Sequence, residues 1–453
     1  MLSLLEIADR SQRGLRISEK EWDLNLFKQI NGYVQKYPVK YDGHEFFNTD
    51  EKLLDYVMEC AVDFIVKNGV YCITTGRCIL FEEQEVRRAM KETPKAVLMG
   101  EGKDMRVFRQ RKIEEDEPLG LCPGHHSPFS SDIIPQAIKN FAMIPRTDFL
   151  EGPNFVECGG RDISSQPLEA YASMRESRWL KEGAREAGRP GLSVLYYPIH
   201  TRGSTMIAGM ADLGMGDGVL LSVLPDVKVE HDLLTSAVFS EERGNYRVSG
   251  SFAIAGGFCG GPEGAIFESV LKTLAGILCY HDQIHYVGVE HQKSLNAVEI
   301  MMQPLNWARS VVFQTLNTKT NAICMIWAIP SSGPCTEQNL WEHAVRSIEG
   351  VINGGNLYAP RHVRTDINLG QTPLEAEWLV EVSDAVIRSG FNKRDKAGPL
   401  LERVIKEKMA GLRPVRGKTI LECYDMTRHE PKEEYRKLYD RVRLELSEMG
   451  LEL

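Results

Sequence analysis

The sequence predicts a TIM (β/α)8 barrel with an N-terminal α+β extension and a C-terminal helix, on three observations. From about Pro118 onward, eight short apolar or glycine-rich runs alternate with amphipathic helical patterns, and eight β–α repeats over ~250 residues are what such a barrel needs. The 453-residue chain, 43% hydrophobic and 26% charged, is long enough to bury a large core and too apolar for a disordered one. No G-x-G-x-x-G follows a predicted strand and no G-x-x-x-x-G-K-[ST] occurs, which removes support from the nucleotide-binding open sheets. Alternation alone does not close a barrel, so an open doubly wound sheet is the rival arrangement.

Residues 1–115 read as an α+β layer packed on the barrel, and residues 116–453 as the barrel with its C-terminal helix. Ser18-Glu19-Lys20-Glu21 has capping-box spacing and opens a helix before Trp22. Thr49-Asp50 opens a second, with Leu53, Leu54, Val57, Cys60, Ala61 and Phe64 on one stripe and a stop at Asn68-Gly69. Two short strands are expected around Thr74–Arg77, then an extended pair near Ala96–Met99 and Met105–Arg109.

The barrel strands are predicted near Leu119–Pro123, Phe149–Val156, Leu192–Pro198, Leu233–Phe239, Phe252–Phe258, Gln283–Val289, Asn321–Trp327 and Gly350–Tyr358. Helices are expected after Ser164-Ser165-Gln166-Pro167, along Ile266–Leu278, and after the capping box Thr372-Pro373-Leu374-Glu375. Glu430–Met449 reads as a last helix with Tyr435, Leu438, Tyr439, Val442, Leu446 and Met449 on one face, suited to packing on the barrel or on a neighbouring subunit.

Charge and cysteine usage narrow the class. A net charge of −9 from 54 basic and 63 acidic residues argues against nucleic acid and against a polybasic membrane anchor. No apolar run approaches the ~20 residues of a membrane span, and the first residues lack a signal-peptide pattern. The ten cysteines include no C-x-x-C pair, so reduced, mostly buried thiols in a cytoplasmic protein are expected.

A TIM barrel works at the C-terminal ends of its strands. Those ends offer Cys122, His125 and His126; Glu157 and Cys158; Tyr196, Tyr197 and His200; Ser240, Glu241 and Glu242; the run Gly256-Gly257-Phe258-Cys259-Gly260-Gly261-Pro262-Glu263; Glu290 and His291; Trp327 with Ser331–Cys335; and Asn356, Tyr358 and Arg361. The paired glycines suit either a tight turn or the close approach of a flat ligand. His125, His126, His200 and His291 are the residue types that would ligate zinc, although loop histidines more often serve as plain hydrogen-bonding groups.

Several segments together carry a resemblance. Ala187-Gly188-Arg189-Pro190-Gly191, Gly-Gly-x-x-Gly-Gly-x-Glu at 256–263, Gly333-Pro334-Cys335-Thr336-Glu337 and Gly417–Asp425 occur in order, together with Trp22-Asp23-Leu24 and Gly69-Val70-Tyr71-Cys72. They resemble the monomethylamine methyltransferases of methylotrophic methanogens, from about residue 18 to the C-terminus. The resemblance implies a barrel assembled as a homohexamer that moves a methyl group to the Co(I) of a separate corrinoid protein, with no tightly bound cofactor or metal of its own. It also implies a pyrrolysine inside the barrel, whose imine takes up the amine. Carried over through Gly-Arg-Pro-Gly-x-x-Val, that position is Leu195. The family's glutamine near the seventh strand end falls on Trp327, and a glutamate falls on Gly250. A further glutamate falls within 218–222, which holds no carboxylate, with Asp217 just outside.

A pocket so altered is apolar and aromatic, and favours a donor whose methyl already sits on an onium nitrogen or sulfur, such as a quaternary amine. On this reading Leu195 marks the catalytic position, with Glu157, Glu241 and His125 as polar candidates. Tyr196, Tyr197, Phe258, Trp327, His126 and His200 would contact the small methylated substrate, and Gly256, Gly257, Gly260 and Gly261 would admit the corrinoid. The aromatics equally suit filling the space that pyrrolysine leaves. A non-catalytic binding barrel and a zinc-dependent methyltransferase are the alternatives.

Overall fold

Parallel strands pair only if a crossover returns the chain to the same end, and the helical patterns between the apolar runs supply those crossovers. A computed structural model describes residues 1–37, 39–41, 43, 45–124, 127–197, 202–291, 303–358, 361–362 and 366–453. Its main sheet has eight strands: Leu121–Cys122, Phe149–Glu151, Ser193–Tyr196, Gly218–Leu220, Tyr246–Gly250, Ile284–Val287, Ile323–Trp327 and Asn356–Tyr358, here numbered first to eighth. Each pairs in parallel with its neighbours, from the second round to the eighth and on to the first. Asp148 draws the first and second strands together: its N–H donates to the Leu121 carbonyl at 3.0 Å and its carboxylate accepts from the Leu121 N–H at 2.8 Å. Beyond them, a Cβ at Gly124 would stand 1.4 Å from the Glu151 carbonyl oxygen, so only glycine permits that approach. The result is the TIM barrel.

The lumen and the helix layer are separate apolar cores. Leu195, Leu220, Val248, Ile284, Met325 and Tyr358 belong to the lumen cluster. An antiparallel hairpin, Ala96–Met99 with Arg106–Arg109, seals its N-terminal end. Met99 and Phe108 from that hairpin join the lumen cluster, with Phe108 edge-on to Phe149 at 5.3 Å. Outside, the helix Pro262–Cys279 is buried along most of its length because helices Glu19–Lys36 and Glu51–Asn68 cover it. The same N-terminal layer is joined by backbone: Val70–Cys72 pairs in parallel with Lys228–Val229, and the Trp22 indole N–H donates to the Asp226 carbonyl at 2.8 Å.

Local signals placed the helix starts. The capping boxes at Ser18 and Thr372 form in both directions, and Asp50 caps its helix with its carboxylate. The last helix, Glu433–Glu448, buries Tyr435, Val442 and Leu446, and Tyr435 donates to Glu375 at 2.8 Å.

Two predicted strands are corrected. Leu233–Phe239 lies inside the helix His231–Glu242, where Leu233, Ala237 and Ser240 share the buried face. A short apolar run does not distinguish a buried helix from a buried strand by periodicity. The fourth strand is instead Gly218–Leu220, three residues long and opened by a glycine. Phe252–Phe258 holds only the short strand Ala253–Ala255, which pairs with Val289–His291 outside the main sheet. The fifth strand is Tyr246–Gly250. The first four residues of the run Gly350–Tyr358 finish the helix Glu337–Asn353, before a left-handed Gly354. Among the described residues no helix is long and apolar enough to cross a membrane.

Candidate active site

Side chains alternate in and out along a strand, so each strand end presents one residue to the mouth of the barrel. Trp327 and Tyr358 end the seventh and eighth strands and are register partners. Gly250, ending the fifth, pairs with Tyr286 on the sixth. A Cβ at Gly250 would lie 2.7 Å from the Tyr286 ring and 3.0 Å from Ser222 Oγ, so the ring fills the space a side chain there would take. Tyr286 stacks on Tyr358 with centroids 4.5 Å apart and planes 5° from parallel. Trp327 meets Phe252 at 4.7 Å and Tyr286 at 5.6 Å.

Among the described residues, Glu151 and Arg361 stand beside these rings, and the Lys272 ammonium lies 5.2 Å from the Phe252 ring centroid. Glu151 ends the second strand, is fully buried and accepts a hydrogen bond from the Tyr358 hydroxyl. The Arg361 guanidinium lies 5.9 Å from the Trp327 ring centroid, and its backbone N–H donates to the Ala328 carbonyl at 2.9 Å. Burial pushes the Tyr197 phenol up to about 12, with the Glu151 charge adding to it. Tyr286 and Tyr358 are pushed well up by burial too, and Cys122 likewise. These groups therefore stay protonated near neutral pH. π-Faces, a carboxylate and a guanidinium meet here, and the phenols are poorly suited to give up a proton near neutral pH.

Of the residues singled out from sequence, Cys122, Leu195, Tyr197, Trp327 and Tyr358 lie in this lumen. Leu195 is fully buried below the cup, paired with Glu151 on one side and Gly218 on the other. Tyr197 and Trp327 pack with the lumen cluster. Tyr196 points the other way, as alternation requires, and its ring presses on Gly209, where a Cβ would stand 2.2 Å away. Phe258 is 43% exposed and meets Phe27 at 5.5 Å, on the N-terminal layer. Glu157 is exposed on the antiparallel pair Glu157–Cys158 with Arg161–Asp162. Glu241 sits at the end of the helix His231–Glu242 that leads into the fifth strand, so it is at the opposite end of the barrel. There it accepts from Arg247 at 3.2 Å and contacts His281 Nδ1 at 2.6 Å. Its predicted place at a strand end falls with the strand Leu233–Phe239.

Gly256, Gly257, Gly260 and Gly261 form the turn between Ala253–Ala255 and the helix starting at Pro262; Gly256 and Gly260 have left-handed φ of 80° and 87°. A Cβ at Gly260 would meet nothing within 4 Å, so the turn is open to solvent there. His125, His126 and His200 lie outside the described residues. Glu151, Phe252 and Tyr286 fall inside predicted runs and received no role. The two-residue alternation that turns Leu195 inward is the signal that would have found Tyr286 and Glu151.

The zinc alternative has one geometric candidate among the described residues, and it is elsewhere. Asp226, Cys259 and Glu268 bring ligand atoms within 4.8 Å of one another. The buried Lys272 ammonium interacts with all three and donates to the Phe252 carbonyl at 3.0 Å, supplying positive charge within the group.

The loop after the seventh strand is tied by a buried carboxyl. Glu342 accepts from the Ser331 N–H and hydroxyl and from Gln338 Nε2 at 2.7 Å. Burial nevertheless pushes it up to about 7. The folded form then holds a proton that the unfolded chain has released, so this group's contribution falls as pH rises from about 5 to about 7, by at most ~1.4 kcal/mol per pH unit. In Glu342→Gln that loss is absent: urea denaturation at the two pH values is expected to differ less than in the parent.

Comparison with known proteins agrees with this architecture. The family model of the monomethylamine methyltransferase MtmB matches residues 2–451. Monomethylamine methyltransferase MtmB1 of Methanosarcina barkeri is 26% identical, over 98% of this chain and 97% of that one. Monomethylamine methyltransferase MtmB of Methanosarcina mazei is also 26% identical, with the same coverage. The crystal structure of a hydroxylamine complex of MtmB superposes with a TM-score of 0.89 at 23% identity, covering 99% of this chain and 98% of that chain. The M. barkeri MtmB crystal structure gives 0.88 at 22% identity, with the same coverage. With a match from the second residue to the third from last, the chain belongs to the monomethylamine methyltransferase MtmB family.

Proposed function

We propose that this chain moves a methyl group from a small, already cationic methylated compound to the Co(I) of a separate corrinoid protein, without pyrrolysine. The observation that carries this reading is the aromatic lumen. Leu195 is aliphatic, and Tyr197, Phe252, Tyr286, Trp327 and Tyr358 form the aromatic cluster toward the mouth beyond it. Aromatic faces hold an onium group by its positive charge and exclude water from it. The cobalt of the partner supplies the nucleophile. The methyl–nitrogen bond breaks as the methyl–cobalt bond forms, and its electron pair stays on nitrogen, which leaves as a neutral amine. Unprotonated monomethylamine has no such leaving group, since it would have to expel an amide ion, and Leu195 offers no imine to take it up. The chain's own part is orientation, which converts an encounter into an in-line approach. The open turn at Gly260 supports access for a bulky partner from the mouth side. We place the protein in the cytoplasm as a homo-oligomer.

The test is cobalt spectroscopy. The chain, a reduced corrinoid protein and a panel of amines, betaines and thioethers are mixed. Methylcobalt is expected with quaternary donors and not with monomethylamine. Turnover of monomethylamine would refute the donor class. Silence across the panel, with ligand-dependent thermal stabilisation, would favour a non-catalytic binding barrel.

A further inference from the structure

We propose that a cavity at the closed end of the barrel binds a small oxyanion that carries its own proton, of the hydrogen-phosphate type. The cavity, of about 190 Å³, lies where the sealing hairpin meets the N-terminal ends of the first, second and eighth strands, and its walls include Phe108, Arg109, Arg111, Arg146, Asp148 and Asn356. Organic ligands occupy pockets of roughly 300–1,000 Å³, so this space suits a single small ion. It stands apart from the mouth, where TIM barrels do their chemistry.

The three arginines have donors to spare. Arg109 uses Nη1 alone, on the Gln110 carbonyl at 3.1 Å and on Glu115 at 3.1 and 3.2 Å. Arg146 gives Nη1 to Asp384 at 2.7 Å and Nη2 to the Leu119 carbonyl at 2.9 Å. Arg111 is 2% exposed and spends Nη1 and Nη2 on the carbonyls of Gly355, Glu115 and Glu117. Its buried Nε has no hydrogen-bond acceptor and stands 3.6 Å from Glu115 Oε2. Burial pushes Arg111 down to about 10, with Glu115 opposing and Arg109 adding to it, so a further anion nearby would favour its charged form. Glu115 and Asp384 pair with these arginines, Glu117 acts on Arg111, Arg106 and Arg189 act on Asp148, and Asp104 pairs with Arg189. The region as a whole is therefore close to neutral, but the lining carries three positive charges to one negative. Planar guanidinium forks match tetrahedral oxyanions. Asp148 sets the selectivity. Its carboxylate, which accepts from the Leu121 N–H at 2.8 Å, is an acceptor only when ionised. A bare oxyanion meets it lone pair against lone pair, whereas a protonated one donates its O–H to it.

Calorimetry on the intact chain tests this, near pH 8 and against a constant background of sodium chloride. Phosphate then keeps one O–H and sulfate has none. Melting temperature does not serve, because both salts raise it non-specifically. Inorganic phosphate is expected to bind saturably and about tenfold or more tightly than sulfate, the worth of one hydrogen bond to a charged group. Arg109→Gln alters a side chain that is 40% exposed, so the fold tolerates it, and is expected to weaken phosphate binding by about tenfold. Asp148→Asn keeps an acceptor for the Leu121 N–H and adds an amide donor, so the preference for phosphate is expected to fall to about twofold or less. The comparison on the parent chain needs no variant to fold. No phosphate binding above the chloride background, or sulfate bound as tightly as phosphate, overturns the proposal. So does an unchanged phosphate affinity in a folded Arg109→Gln, or a preference that survives in a folded Asp148→Asn.

Discussion

Replacing Glu349 by alanine is expected to cost about 3–5 kcal/mol of stability. Glu349 is completely buried on the helix Glu337–Asn353. It accepts from Arg309 Nη2 at 2.9 Å and from Arg346 Nη1 at 3.0 Å. Arg346 in turn donates twice to Glu290, at 2.9 and 3.0 Å. Two guanidinium groups and two carboxylates therefore balance, in a region almost without solvent. Removing that carboxylate leaves Arg309 with no carboxylate partner among the described residues, and a buried uncompensated charge is far more costly than the pair is favourable. Arg309 also donates to the Val289 carbonyl at 2.9 Å, which ties down the short strand Val289–His291 at the mouth. Urea denaturation measures the loss. Glu349→Gln keeps acceptor and donor atoms in place and should lose less. Equal stability of parent and Glu349→Ala would mean that the two arginines find other partners.

Replacing Trp327 by alanine should weaken binding of an onium donor by about thirtyfold, since a desolvated cation–π contact is worth ~2 kcal/mol. The ring is 8% exposed, at the end of its strand, and touches Phe252, Tyr286, Tyr358 and the guanidinium of Arg361. Truncation also opens a cavity at about 3–5 kcal/mol, so folding must be checked by thermal denaturation. Trp327→Phe separates the two effects. It keeps a π-face and most of the volume, and should cost a few-fold in affinity at most. If Trp327→Ala folds and binds trimethylated donors as the parent does, the cup is a plug and the aromatic reading is refuted.

Much of the scaffold was legible because its signals are local. Ser18 and Thr372 announce helix starts with their own side chains. The β–α beat requires only that apolar runs alternate with helical ones. What failed was also local: Leu233–Phe239 is apolar enough for a buried strand, and nothing within the run shows that it is covered on one face only. The true fourth strand, Gly218–Leu220, is nearly invisible. Its glycine is required by a ring on the next strand, with a Cβ there lying 2.1 Å from Tyr246.

The sequence by itself determined the class of fold and the family resemblance. Those depend on residue identity and order along the chain. Only the tertiary structure decided which strand-end residues meet. It turned Tyr197 inward and Tyr196 outward, sent Glu241 to the far end and Phe258 to the surface, and set Glu151 and Arg361 among the rings of Tyr286, Trp327 and Tyr358. Barrel closure is the reason: residues from Glu151 to Arg361, far apart in the chain, become neighbours only when the first and second strands join, and no local pattern carries that geometry.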